Sequence, residues 1–141
     1  MPESVYAILP AGAALGLLLA LGVMAVQPRL GPRAWIILAV LSAAFLAVTL
    51  DVVAKAGPLG FWNEHLRGPW GAQIWCDLLL AAGTALALLL PRARAVGMRP
   101  LPWMVLVAAT GSIGLLAMMA RCLFLESRAA SNNAAGEETA R

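Results

Sequence analysis

Three ionisable side chains, Asp51, Asp77 and Arg121, lie inside apolar stretches of this sequence. A charge near the centre of a bilayer costs about 2.5–3.5 kcal/mol on insertion scales, so such a group must be paired, wetted or used. A carboxylate desolvated in an apolar cavity holds its proton to higher pH and can donate it to an olefin or an epoxide. Asp77 is therefore the first candidate acid or base, with Asp51 assisting. Helical spacing sets Gln73, Asp77 and Thr84 on one stripe and Thr110, Gly114 and Arg121 on another. The candidate ligand-binding set is Gln73, Asp77, Thr84, Thr110 and Arg121.

Each of these residues also has a local, non-catalytic reading. Asp51 can pair with Lys55 one turn on, and Asp77 can accept a hydrogen bond from Gln73 one turn back. Cys76 and Cys122 have comparable depth if the helices alternate in direction, so a disulfide between them is conceivable. Spacing alone does not aim the two thiols at each other, and free cysteines acting as small apolar side chains are the default. His65 beside Glu64 is too small a donor set for a metal, and Met118, Met119 and Cys122 supply soft atoms that apolar packing uses equally well. No HExxH, CxxC, GxSxG or phosphate-cradling loop occurs, so neither a metal nor a cofactor is expected.

The elements that must position these groups are set by hydropathy. Of 141 residues, 62% are hydrophobic and 12% charged, and the mean hydropathy is +0.84. Those values identify an integral membrane protein and leave no room for a separate soluble domain. Four apolar runs fall at about 4–26, 34–54, 71–90 and 101–125. They are helices, since the alternation of a membrane β-barrel is missing from runs such as LGLLLALGVMAV. Short connections rich in Pro and Gly make successive helices antiparallel neighbours. The expected fold is thus an all-α, four-helix transmembrane bundle of up-down-up-down order over 1–125, with a disordered polar tail over 126–141. The first run lacks the basic n-region of a signal peptide and reads as a spanning helix.

Arg29, Arg33, Arg92, Arg94 and Arg99 fall in the first and third loops, which places those loops in the cytoplasm and both termini in the periplasm of a bacterial inner membrane. Under that topology Asp51, Asp77 and Arg121 share the outer end, and an interhelical Asp77–Arg121 pair is expected. Trp35 and Trp103 mark the inner head-group level, and Trp62, Trp70 and Trp75 the outer one. The net charge of +3 is read as orientation and contact with anionic head groups, with the lipid bilayer as partner and no nucleic acid. Gly12, Gly16 and Ala20 recur at four-residue spacing, a face that would admit another helix, a second copy or a larger membrane complex.

The second half of the chain carries a resemblance. Asp77-Leu78, a basic loop with Arg94 and Gly97, Pro102-Trp103, then Gly111-Ser112-Ile113-Gly114-Leu115-Leu116 and Arg121 resemble small uncharacterised four-helix bacterial membrane proteins grouped under a domain of unknown function. The pattern is similar, more faintly, to the membrane family associated with neoxanthin synthesis, although Trp75-Cys76-Asp77 departs from that family's run around its aspartate. Two functions follow as expectations. The first is a non-enzymatic accessory or assembly protein whose Asp77–Arg121 pair sets helix register. The alternative is an intramembrane enzyme or binding protein for an isoprenoid-like ligand, using Asp77 as acid or base.

Overall fold

The computed structural model describes residues 3–27, 31 and 33–139. It is all-helical among those residues, in the order α1 (Glu3–Val26), α2 (Ala34–Ala56), α3 (Gly60–His65), α4 (Pro69–Ala95), α5 (Pro100–Thr110) and α6 (Ser112–Thr139). The helices α1, α2 and α4 are long and apolar enough to cross a membrane, and α5 is a shorter apolar helix. In lipid such segments are helical by necessity, because only intrasegment hydrogen bonds satisfy every peptide group. The chain divides into two compact units, Met1–Gly31 and Pro32–Arg141.

The first unit is α1, 24 residues running through Pro10. In the second unit α2 lies antiparallel to α6: Trp35 near the start of α2 meets Phe124 with ring centroids 5.0 Å apart. Further along α2, Ser42 donates from Oγ to the Ile113 carbonyl at 2.9 Å. The short α3 sits over the start of α4, where the His65 and Trp75 rings are 4.7 Å apart.

The apolar run 101–125, expected as one spanning helix, is two helices. A straight helix from Pro100 to Glu126 would be roughly 39 Å long. Glu126 nevertheless bonds to Arg92, in the last turn of α4 and just before the start of α5. The chain must therefore double back, and it does so at Gly111, whose φ of +60° is a region open to a residue without Cβ. Beyond the turn, Gly114 approaches the Leu106 carbonyl so closely that a Cβ there would stand 2.8 Å from it. Thr110 closes the corner: its Oγ1 donates to the Leu106 carbonyl at 2.7 Å and accepts from the Gly114 N–H at 3.0 Å. That hydroxyl supplies one of the amide partners that the first turn of a helix otherwise lacks.

A core forms where α4, the 96–99 connection and α6 meet: Leu89, Ala93, Met98, Met118 and Cys122 are buried together, with Trp103 and Leu115 against them. Two further boundaries differ from expectation. The third helix runs on to Ala95 rather than ending at Leu90, passing through Pro91, which lies inside the helix just before its last turn and itself lacks one backbone donor. The segment read as a disordered tail instead continues α6 to Thr139. Its sequence has several alanines and no proline, so nothing sterically stops the helix there.

Candidate functional site: a groove between α2 and α6

Along α2, Trp35, Ala39, Ser42, Ala43 and Leu46 recur at spacings of three, four and one, which sets them on one face. On α6, Ala117, Ala120, Arg121 and Phe124 do the same. The two faces enclose an open groove of about 520 Å³ lined by these nine residues. Alanines on both walls hold the helices close without filling the space between them. The groove is pinned at two levels, by the Ser42 hydroxyl on the Ile113 carbonyl and by the edge-on contact of Trp35 with Phe124. Buried Ser42 needs such an acceptor, and the helix carbonyl has a spare lone pair to give.

The only charged side chain in the lining is Arg121. Its Cζ lies 5.6 Å from the Phe124 ring centroid, and the Arg128 Cζ lies 5.7 Å from the same ring. Both guanidinium groups sit within cation–π range of that ring. Neither has an acidic partner among the described residues. Arg92 differs: its Nε and Nη2 donate to the two Glu126 carboxylate oxygens at 2.5 and 2.6 Å. The hydrogen bonds from Arg92 hold the Glu126 carboxyl below its ordinary range, against the opposing effect of partial burial. Cys122 adds a weak contact to the same carboxylate, 3.7 Å from Sγ to Oε1.

The residues singled out from the sequence are dispersed. Asp77 precedes Arg92 on α4 by about four turns, roughly 22 Å, whereas Arg121 lies about one turn from Glu126 on α6. The expected Asp77–Arg121 pair is therefore absent, because the reversal at Gly111 carries Arg121 to the opposite end of α4 from Asp77. Asp77, Gln73 and Thr84 are exposed on α4 and outside the groove. Asp77 makes no hydrogen bond or ion pair among the described residues. Asp51 pairs with Lys55 at 2.9 Å. Thr110 is engaged at the α5–α6 corner.

Cys76 is exposed and Cys122 buried, both free thiols. The reversal that separates Asp77 from Arg121 separates these two as well, so they cannot form a disulfide. The His65 Nδ1 lies 2.5 Å from the Phe61 carbonyl, to which it donates. No group of three or more His, Cys, Asp or Glu side chains able to hold a metal is found among the described residues.

Sequence reasoning missed Ser42, Phe124 and Arg128, and it read Trp35 only as an interfacial anchor. The signal was present in the Ala/Ser stripe of α2 and in the Arg121-x-x-Phe124-x-x-x-Arg128 spacing. Its meaning depended on knowing which end of the bundle residue 121 reaches. No family model matches the chain, and neither does any curated protein or solved structure.

Proposed function

We propose that the protein is a non-enzymatic accessory or assembly component of the bacterial inner membrane, with three spanning helices and a helical hairpin, α5–α6, that enters from one side. The observation that carries this reading is the use made of polar groups where helices meet. Ser42 joins α2 to α6, Thr110 joins α5 to α6, and Arg92–Glu126 joins α4 to α6. Polarity in the bundle thus serves helix register, a use for which buried polar groups are well attested. The acid-base alternative draws no support from the groove, which Arg121 lines and Asp77 and Asp51 do not.

Orientation follows from the hairpin. Arg92, Arg94, Arg99 and Arg128 gather at the end where α2 begins, and by the positive-inside rule that end faces the cytoplasm. The carboxy-terminal part of α6 is then cytoplasmic rather than periplasmic, while the start of α1 stays periplasmic. A carboxy-terminal green fluorescent protein fusion is expected to fluoresce and an alkaline phosphatase fusion to be inactive. The reverse pattern would restore four spans.

The accessory role is tested by placing photo-crosslinking residues at Gly12 and Gly16 in cells. A discrete adduct heavier than the monomer is expected, and its absence at both positions would reject assembly through this face.

A further inference from the structure

Beyond that role, we infer that the α2–α6 groove is a binding site for one anionic phospholipid, with its acyl chain along the alanine walls and its phosphate at Arg121 and Arg128. Length, polarity and charge complementarity carry the inference. From Trp35 to Leu46 the groove follows α2 for roughly 16 Å, which matches one leaflet of a hydrocarbon core about 30 Å thick. Its walls are apolar along that length. Its charge is confined to the end where Trp35 and Phe124 meet, the level at which amphipathic rings sit against head groups. There Arg121 and Arg128 both stand against the Phe124 ring, while Glu126 is committed to Arg92. Two cations without an acidic partner among the described residues, beside an apolar slot one leaflet deep, fit an amphiphile with one anionic head. A neutral isoprenoid would leave both guanidinium groups unanswered.

The test uses the full chain in phosphatidylcholine nanodiscs containing a minor fraction of phosphatidylglycerol, released for native mass spectrometry. One phosphatidylglycerol per chain is expected to remain bound, well above its share of the bilayer. Arg121→Gln should lower that retention about fivefold, the equivalent of one cation near a head group. Arg128→Gln, outside the groove lining, should lower it in the same direction. Ala43→Leu, which fills the groove from the α2 side, should abolish retention with the thermal unfolding midpoint unchanged. Excess inorganic phosphate should not displace the lipid.

Retention that follows bulk composition, or that survives both arginine substitutions, would overturn the proposal. Displacement by inorganic phosphate would assign the cations to a free anion. A lipid-free wild type in which a label at Ala43 crosslinks to α1 or to a second copy would show the groove covered by protein, and would also overturn it.

Discussion

The two sides of α6 treat positive charge in opposite ways. Toward α4, the helix buries Met118 and Cys122 completely and offers Glu126 to both donors of the Arg92 fork. Toward α2, it presents alanines, leaves a groove open and holds Arg121 against an aromatic ring with no carboxylate partner among the described residues. A bidentate pair satisfies a cation within the chain, so its cost and gain are settled by folding. A cation–π contact leaves the hydrogen-bonding edge of the guanidinium unspent. One side of the helix is built to hold the fold together, and the other leaves donors for something outside the chain.

The largest expected break in this comparison is on the packed side. Met118→Ala removes a side chain with no solvent exposure from the α4–α6 core. It should lower unfolding free energy by about 2–5 kcal/mol in a denaturant titration of the reconstituted protein. Ala117→Gly, across the helix in the groove lining, should cost no more than the helix-propensity difference, about 1 kcal/mol. Equal losses at the two positions would remove the distinction between a packed and an open side.

Glu126→Gln comes next, with an expected loss of about 1 kcal/mol, since both side chains of the pair are partly exposed. The pH dependence follows from the same pair. Because the carboxyl is held below its ordinary range in the fold, its contribution is complete above the unfolded value near 4 and is lost as pH falls through the lower, folded value. The stability of the wild type relative to Glu126→Gln should therefore be flat from pH 7 to about 5 and shrink only in stronger acid. A difference that shrinks near neutrality would mean the pair is not formed as described. Ser42→Ala should cost about 0.6 kcal/mol, the mean for interhelical hydrogen bonds in a bilayer. It should also loosen the groove, read as faster reaction of a cysteine placed at Ala43.

Class and most of the helices were legible in the sequence, because hydropathy reports directly on which segments can face lipid. The start of α2 at Ala34 and the apolar extents of α1 and α4 follow from that signal alone. The reversal at Gly111 was not legible. Hydropathy is unbroken from Leu101 to Leu125, and a glycine within a membrane helix reads as a packing residue as readily as a turn. The Leu106 carbonyl against Gly114 and the Thr110 corner exist only once the chain has folded back. That one missed turn propagated into every expectation built on depth. It moved Arg121 away from Asp77, separated Cys76 from Cys122, brought Glu126 to Arg92 and turned the carboxy-terminal segment to the basic end. Local pairs such as Asp51–Lys55 were unaffected, since they need only the helix they stand on.

The smallest expected effect is also the sharpest test of that turn. Asp77→Asn and Arg121→Gln each remove a charge that makes no ion pair among the described residues, so each should change stability by no more than about 0.5 kcal/mol. If α6 runs back from Gly111, the two sites lie toward opposite ends of α4, and the double substitution should equal the sum of the single ones to within about 0.5 kcal/mol. An uninterrupted helix over 101–125 would instead bring Arg121 to the end of the bundle where Asp77 lies. The first substitution would then strand a buried cation, and the second would recover much of the loss, giving a coupling well above that limit. Additivity at two exposed residues thus reports on the backbone of a third, because the reversal at Gly111 carries Arg121 away from the end of α4 where Asp77 lies.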